Sequence, residues 1–564
     1  MVDLKKAPFF LTDAQIAWVE ATQKAMTDDQ KIEQLFCPLI STTDPKTLRE
    51  MASNHSYGGI MFRNGDANEL QSAINAAQEA AEVPFLVSAN LESGGDGIAD
   101  NGTYMGRQML IAATNDEQQA WRLGRLCGLE GAAVGVNWAF SPVLDIDNNY
   151  HNPITNVRTY GSDPIQVTRM GRAYMEGMKN TGVTPTPKHF PGDGQDERDQ
   201  HLVTSVNPMT LDQWEASYGR VYRAMIAQGA LTMMVGHIAM PAMEEAFDGS
   251  VCNQAIPASC SKNIMTRYLR GEMGFNGLIS TDATPMIGFC SSSSRRELVP
   301  GCIESGADVI LFNRDMDEDL MYMKAGIADG RLSRERLEDA VTRILATKAA
   351  LHLPEKKSNG SIYKTADDLS VLACPEHLQW AQECADAGVT LVKDTQNLLP
   401  LSAEKTPRVL LQLLGDYPSN GRVKAEVEQL MKAEGFQITW YQPETLETIF
   451  NTESAEEFRA KYDLVLYIGN IETASNKTVA RINWHTLFGL GNNMPWFVHE
   501  VPTLFVSLGN PYHLLDVPMI KTYINGYCNA PTVIHAIVDK LMGRSSFKGK
   551  SPVDPFCGKW DTRL

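Results

Sequence analysis

Short apolar segments alternate with helical patterns up to about residue 350 of this sequence. The apolar runs end at Gly, Pro, Asn or another polar residue, as buried parallel strands do. The predicted strands are 58–62, 85–89, 135–140, 183–187, 232–237, 277–282 and 308–312. Apolar positions at helical spacing predict helices at 27–36, 67–81, 118–133, 165–181, 211–228, 262–273 and 333–350.

Repeated strand–helix units favour an α/β fold with a (β/α)8 TIM-type barrel over residues 1–351. A doubly wound sheet is the alternative, but no GxGxxG follows the first strand. Residues 352–388 predict a polar linker that ends in a helix. Residues 389–564 predict a C-terminal α/β sandwich domain that resembles flavodoxin, with strands 409–414, 464–468 and 503–507 and helices 423–434 and 531–542.

The segment 188–201 concentrates ionisable side chains: two His, one Lys, one Arg, three Asp and one Glu. Pro191, Gly192 and Gly194 interrupt regular structure, so these side chains are expected on a loop after the strand 183–187. A solvated surface loop can also be this charged. Phe-Pro-Gly beside two imidazoles favours an active-site loop instead.

Polar residues also follow other predicted strands. Asn90 comes directly after strand 85–89, His237 ends strand 232–237, and Asp282 ends strand 277–282. An aspartate at the end of an apolar strand is desolvated on one side and exposed on the other, which suits a carboxylate nucleophile. Asp282 could instead cap the next helix, and spacing alone does not separate these alternatives.

Composition excludes several classes of partner. The formal charge of −18 and the pI near 5.1 argue against nucleic acid and anionic membrane surfaces. The apolar patch near the N-terminus is too short for a signal peptide, and no window is apolar enough to span a membrane. The ten cysteines are scattered without a CxxC, which predicts free thiols, no metal site and a cytoplasmic protein.

Five motifs along the chain, taken together, resemble glycoside hydrolase family 3. They are Lys188-His189-Phe190-Pro191-Gly192 with Asp199 and His201, the segments 157–161 (VRTYG) and 274–282 (GFNGLISTD), and the segments 388–393 (GVTLVK) and 398–401 (LLPL). The resemblance implies a retaining β-glycosidase on a barrel with an attached α/β sandwich, without metal or cofactor. It implies a carbohydrate substrate; a homo-oligomer is compatible with it.

The resemblance also implies roles for single residues. Asp282 would be the nucleophile, and His201 oriented by Asp199 would be the acid/base, as in the branch that resembles β-N-acetylglucosaminidases. The family's sugar-binding positions match Arg158, Lys188 and His189. His237 is expected either in the wall of the site or as a core histidine.

One site residue departs from the family's pattern. Asn90 stands where the family carries a sugar-binding aspartate, and Ser93 is inserted before the glycines that follow. The Arg that the family carries shortly after this run is absent, since the next one is Arg107. Asn90 is retained as a substrate-binding residue because an amide both donates and accepts hydrogen bonds.

The resulting prediction is an exo-acting β-N-acetylhexosaminidase that removes terminal β-linked amino sugars through a glycosyl-enzyme on Asp282. A β-N-acetylglucosaminide phosphorylase would keep the fold and the nucleophile and transfer the sugar to phosphate. A β-glucosidase or β-xylosidase would take its acid from a carboxylate of the second domain. A non-catalytic sugar-binding protein is the alternative from another class, and the presence of Asp282, Asp199 and His201 argues against it.

Overall fold

The protein is described by a computed structural model that covers residues 2–249, 255–443, 445, 453–471, 473–487, 490–491 and 493–564. It divides into two compact units. The first comprises residues 1–104, 120–149 and 163–378, and the second comprises 105–119, 150–162 and 379–564. The second unit therefore contains two segments from the first third of the chain.

The elements follow one another in mixed α/β order. The strands are β1 (Phe36–Cys37), β2 (Leu39–Ile40), β3 (Gly59–Phe62), β4 (Leu86–Ala89), β5 (Trp138–Ala139), β6 (Thr184–Pro185), β7 (Ser205–Val206), β8 (Thr232–Val235), β9 (Ile238–Ala239), β10 (Leu278–Ala283), β11 (Val309–Leu311), β12 (Thr390–Asp394), β13 (Arg408–Leu414), β14 (Gln437–Trp440), β15 (Leu464–Gly469), β16 (Thr486–Leu487), β17 (Leu490–Gly491), β18 (Thr503–Ser507) and β19 (Thr522–Asn525).

The helices lie between these strands. They are α1 (Asp13–Ala25), α2 (Asp28–Gln34), α3 (Pro45–Asn54), α4 (Ala67–Ala80), α5 (Gln108–Ala113), α6 (Glu117–Val134), α7 (Pro164–Met178), α8 (Leu211–Trp214), α9 (Arg220–Ala227), α10 (Pro241–Asp248), α11 (Ile287–Cys290), α12 (Arg295–Ser305), α13 (Met316–Asp329), α14 (Arg334–Ala350), α15 (Leu353–Ser358), α16 (Pro375–Gly388), α17 (Asn420–Ala433), α18 (Ala455–Lys461) and α19 (Pro531–Leu541). Two π-helical segments, Glu215–Gly219 and Asn263–Glu272, complete the predicted helices 211–228 and 262–273.

The described part of the first unit contains two larger parallel sheets and the parallel pair β7-β9. One has the order β2-β3-β4-β5-β6, and the other has the order β1-β11-β10-β8. Further parallel bridges join Val143 to Lys188 and Phe190 to Val235. Strands β3, β4, β8 and β11 are buried along their whole length, which explains their continuous apolar sequences. Parallel strands place their carboxyl ends at one edge of the sheet, and the polar residues after β4, β6 and β10 lie at such ends.

The prediction of a helix over 27–36 was wrong at its end. Helix α2 begins after Thr27, whose side chain caps it, and ends at Gln34, and Phe36 belongs to β1. Leu35 and Phe36 are completely buried. An apolar pair at this position satisfies the helical pattern as well as the start of a buried strand, so periodicity alone could not place the boundary. The polar segment after residue 352 also contains a short helix, α15.

The second unit is built around a six-stranded sheet with the order β12-β19-β18-β15-β13-β14. All neighbouring strands are parallel except β12 and β19. The rings of Tyr467, Phe505 and Tyr523 stack in its core, with adjacent centroids 6.0 and 5.4 Å apart. The predicted strands 409–414, 464–468 and 503–507 correspond to β13, β15 and β18.

None of the helices in the described part of the chain has the length and apolar character that a membrane crossing requires. The nine cysteines within the described ranges carry free thiols. Cys252 lies outside those ranges.

Candidate active site

The loop that begins at Lys188 is held by the backbones of its neighbours. The Lys188 carbonyl oxygen accepts a hydrogen bond from the Leu144 amide over 2.6 Å, and the Phe190 amide donates to the Met234 carbonyl oxygen over 2.9 Å. The loop therefore continues the parallel pairing of β6 on both sides. Its first side chains are placed by the sheet and not by a mobile turn.

Gly192 allows the loop to pass close to the ring of Tyr218. Its φ is +120°, and a Cβ atom at this position would lie 2.1 Å from the Tyr218 ring. Only glycine fits both requirements. Beside it, the Trp214 indole nitrogen donates to the Pro191 carbonyl oxygen over 2.7 Å. The Phe-Pro-Gly sequence thus packs the loop onto the helical segment beginning at Leu211.

Asp282 lies at the carboxyl end of β10, as predicted, with 15% of its side chain exposed. The Ala283 amide donates to its Oδ1 atom over 2.7 Å, and His189 Nε2 lies 3.8 Å from Oδ2. Burial raises the pKa of this carboxyl group, but neighbouring histidines, His189 foremost, lower it to about 2. The low pKa and the partial exposure together suit a carboxylate nucleophile, which must be ionised and accessible.

His189 is held between two carboxylates. Its Nδ1 atom lies 2.7 Å from Asp145 Oδ2, while Asp145 Oδ1 accepts hydrogen bonds from the His189 and Asp193 amides. Burial raises the pKa of Asp145, but the charge and hydrogen bond of His189 outweigh this and hold that pKa below its usual value. Because an ionised carboxylate only accepts, Nδ1 carries a proton and Nε2 is directed toward Asp282.

Asp199 and His201 are in contact, as the resemblance implied. Asp199 Oδ1 accepts from the His201 backbone amide over 2.9 Å and lies 2.7 Å from His201 Nδ1. The carboxylate is buried, whereas the imidazole is 25% exposed. The pair therefore presents Nε2 as the ring nitrogen that can exchange a proton with a bound molecule.

Lys188 contacts two residues of the loop after β4. Its Nζ atom lies 2.7 Å from Glu92 Oε1 and donates to Asn90 Oδ1 over 3.4 Å. Lys188 and Glu92 are both buried, and Asn90 is exposed. The ion pair fixes the lysine beside Asn90.

His237 has no exposed surface. Its Nε2 atom lies 2.9 Å from the Ala283 carbonyl oxygen and its Nδ1 atom lies 2.7 Å from Ser259 Oγ. Burial lowers the pKa of this imidazole. Since a carbonyl only accepts, Nε2 carries the proton and Nδ1 accepts from the Ser259 hydroxyl. Of the two alternatives for His237, this burial favours the core histidine.

Arg158 belongs to the second unit, at the end of the short helical turn Asn156–Arg158. Its Nη1 atom donates to the Ile154 carbonyl oxygen over 3.5 Å, and its side chain is half-buried. The other residues predicted for the site belong to the first unit. They are Asn90, Lys188, His189, Asp199, His201, His237 and Asp282.

Sequence reasoning assigned no role to Asp145, Glu92 or Gln200. Asp145 and Glu92 each follow an apolar residue near a predicted strand end, which is a usable signal. Gln200 carries no such signal. Within the described ranges, His, Cys, Asp and Glu side chains form no group of three that could hold a metal ion.

Comparison with known proteins identifies the family. Residues 27–347 match the Glycosyl hydrolase family 3 N terminal domain. A "Beta-N-acetylglucosaminidase/beta-glucosidase" of Cellulomonas fimi is 43% identical over 576 aligned positions, covering 100% of both chains. "Beta-hexosaminidase A" of Pseudoalteromonas piscicida is 29% identical, covering 65% of this chain and 64% of that protein.

A solved structure gives the same result. That of "Beta-glucoside phosphorylase BglX" has a TM-score of 0.93 and 42% identity, and the match covers 99% of each chain. A family match over more than half of the residues and relatives of this identity along the whole chain leave one conclusion: the chain is an enzyme that belongs to glycoside hydrolase family 3.

Proposed function

We propose that this enzyme is a retaining exo-β-glycosidase in which Asp282 attacks the anomeric carbon of a terminal β-linked sugar. The observation that carries the proposal is the partly exposed Asp282 carboxyl group at the end of β10, with His189 Nε2 3.8 Å away. The bond from Oδ of Asp282 to the anomeric carbon forms as the bond from that carbon to the leaving oxygen breaks. A second displacement at the same carbon releases the sugar with retained configuration.

His201 is proposed as the acid and base of both steps. Asp199 holds the proton on Nδ1, so Nε2 would donate a proton to the leaving oxygen and then accept one from the incoming water. The exposure of the ring, 25%, is compatible with access to a bound sugar. This assignment requires no carboxylic acid from the second unit.

The proposed donor is a terminal β-linked N-acetylhexosamine, with β-linked glucose as the second substrate. The name of the full-length relative combines these two activities. Lys188, fixed by Glu92 and contacting Asn90, supplies N–H donors for sugar hydroxyls. Arg158, Lys188, His189 and Asn90 are proposed as substrate-binding residues.

Transfer of the sugar to phosphate is the second candidate function. The observation that favours it is the partly exposed His201 imidazole held by Asp199, which is proposed above as the proton carrier. After the first step, a glutamate or aspartate acid would be an anion and would repel an incoming phosphate, whereas an imidazole is neutral or positive. The beta-glucoside phosphorylase of 42% identity lends further support.

The strand pairing supports a closed (β/α)8 barrel as the catalytic domain, proposed over residues 1–351. β1 and β2 are separated only by Pro38 and join the two parallel sheets along the chain. The bridges Val143–Lys188 and Phe190–Val235 extend the pairing from β5 through β6 to β8. Residues 352–388 are proposed as the linker with its helix, and residues 389–564 as the flavodoxin-like sandwich.

A panel of aryl β-glycosides, assayed with and without phosphate, tests the substrate and the acceptor. A hydrolase releases free sugar at a rate that phosphate does not change. A phosphorylase produces sugar 1-phosphate and accelerates as phosphate is added. Absence of turnover on N-acetylglucosaminides and glucosides alike contradicts the proposed donors.

The variant His201→Ala tests the acid/base. General acid catalysis contributes ~10²–10⁴-fold, so the loss should be of that size on a disaccharide and much smaller on a nitrophenyl glycoside, whose leaving group needs no proton. Asp199→Asn should give the same pattern more mildly, and the exposed His535→Ala serves as a control. Equal losses on good and poor leaving groups would restrict His201 to positioning the substrate.

A further inference from the structure

Gln200, the residue between Asp199 and His201, connects their loop to the strand of Asp282. Its side chain is 1% exposed, and its Oε1 atom accepts a hydrogen bond from the His237 backbone amide over 2.7 Å. His237 in turn donates from Nε2 to the carbonyl oxygen of Ala283, next to Asp282. His237 therefore links Gln200 to Ala283, which is next to the proposed nucleophile.

The backbone of the same loop is bound to the segment that follows Asp282. The Gly288 amide donates to the Gln200 carbonyl oxygen over 3.0 Å, and the Ile287 amide donates to the His201 carbonyl oxygen over 3.1 Å. Thr204 Oγ1 donates to the Gly288 carbonyl oxygen over 2.9 Å. A Cβ atom at Gly288 would lie 2.5 Å from the Gln200 carbonyl oxygen, so this close approach requires glycine.

These contacts address a geometric problem of the proposed reaction. The nucleophile is held by a strand, whereas the acid/base lies on a loop, and both must meet the same glycosidic bond with small tolerance. The contact with Asp199 orients the His201 ring within its own loop. The contacts of Gln200 place that loop against the strand and helix that flank Asp282.

We propose that Gln200 is a positioning residue. It holds the His201 imidazole where the ring can donate a proton to the leaving oxygen and accept one from the incoming water. The inference rests on the proposed roles of Asp282 and His201. Gln200 itself stays buried and does not touch the sugar. Its loss should therefore affect the proton transfer by His201 more than the attack by Asp282.

The test compares two buried glutamines. Gln200→Met keeps the length of the side chain and removes the oxygen that binds the His237 amide. Gln78 is a matched control on α4: it is also 1% exposed, and its Oε1 atom accepts from the Phe85 backbone amide over 3.0 Å. Each substitution leaves one buried amide without its acceptor, and Gln78→Met also removes the bond from Nε2 to the Phe85 carbonyl oxygen, so the structural cost of the control should be at least as large.

The measurement is kcat/KM on β-glycosides with leaving groups from dinitrophenol to an alkyl alcohol. Gln200→Met should lose ~10–100-fold on the alkyl glycoside, as displacements of about 1 Å do, and less than about threefold on the dinitrophenyl glycoside. Gln78→Met should lower the unfolding midpoint and leave the ratio between the two substrates unchanged. The double variant Gln200→Met/His201→Ala should be no worse than His201→Ala alone.

Equal losses of Gln200→Met on good and poor leaving groups, or an additive double variant, would overturn the inference. The single variant His201→Ala separates this failure from a failure of the proposed function. If the loss in His201→Ala does not depend on the leaving group, His201 is not the acid/base, and the proposed role of Gln200 is then wrong as well. If Gln200→Met does not fold, Gln200→Asn gives the same comparison, because its shorter amide cannot reach the His237 nitrogen.

Discussion

His189 Nε2 lies 3.8 Å from Asp282 Oδ2, while Asp145 holds the opposite ring nitrogen at 2.7 Å. The imidazole thus stands between a buried carboxylate and the proposed nucleophile. A carboxylate must be ionised to attack carbon, and positive charge in this position favours ionisation. If Asp282 is the nucleophile as proposed, Asp145 and His189 affect the reaction through the protonation state of Asp282.

The variant His189→Gln tests this electrostatic role through pH. Removing the nearest imidazole should raise the pKa of Asp282 from about 2 toward or above 3.8, because burial then acts with less opposition. Since the deprotonated form reacts, the acidic limb of kcat/KM should move to higher pH. An acidic limb at the same pH in wild type and variant would contradict this coupling.

Asp282 also links folding stability to pH. Its pKa in the folded protein lies below the ordinary value of 3.8, so its contribution to stability is present above that pH and is lost as the pH falls through about 2. In Asp282→Ala this part of the acid dependence of the unfolding free energy should disappear. Urea unfolding between about pH 2 and 5 measures it.

Asp282→Ala should abolish turnover while the protein remains folded. Loss of the group that forms the covalent intermediate should cost more than ~10³-fold in kcat. In the wild type, a fluorinated activated glycoside should label the peptide that contains residues 278–283, detectable by its mass. The exposed carboxylate of Asp329, paired with Arg331, offers the control Asp329→Ala. Turnover by Asp282→Ala within tenfold of wild type would refute the assignment of Asp282 as the nucleophile.

Asn90→Asp should change the preference among sugars more than the chemical step. Asn90 Oδ1 lies 3.4 Å from Lys188 Nζ. A carboxylate in place of this amide would accept a charge-assisted hydrogen bond from a sugar hydroxyl, about twice as strong as the neutral bond that the amide accepts. The ratio of kcat/KM for N-acetylglucosaminide and glucoside measures the change. The same ratio in both proteins would mean that Asn90 does not contact the sugar.

Because of Lys348, we expect the stability of the fold to depend on pH in the alkaline range, independently of catalysis. Its buried Nζ donates to Gln34 Oε1 over 2.9 Å, and burial lowers the pKa of this amine to about 7. Between about pH 7 and 10 the unfolded chain holds a proton that the folded protein lacks, so stability should rise with pH, by up to about 1.4 kcal/mol per unit.

The variant Lys348→Met removes this titrating group. The unfolding free energy, measured with urea between about pH 7 and 10, should then depend less on pH. This holds whether the substitution raises or lowers stability at any one pH. Lys540→Met provides a comparison, because Lys540 is equally buried but pairs with Asp386 at 3.0 Å. If the unfolding free energies of wild type and Lys348→Met depend on pH in the same way, the pKa of Lys348 is not lowered.

Most strands of the first unit could be predicted because a buried parallel strand is a continuous apolar run. Strand β10, for example, was predicted over 277–282 and occupies Leu278–Ala283. The boundary at Phe36 was missed because a two-residue strand has no period of its own. Short pieces such as β5 and β6 owe their extent to their neighbours in the sheet, which no local pattern encodes.

The sequence by itself determined the local part of the candidate site: Asp199 two residues before His201, Lys188 and His189 on a Phe-Pro-Gly loop, and Asp282 at a strand end. Only the tertiary structure decided which partners these residues meet. Asp145 and His189 are separated by 44 residues, Gln200 and His237 by 37. Contacts between such distant segments depend on how parallel strands align their carboxyl ends, and alternation of apolar and polar residues carries no information about that alignment.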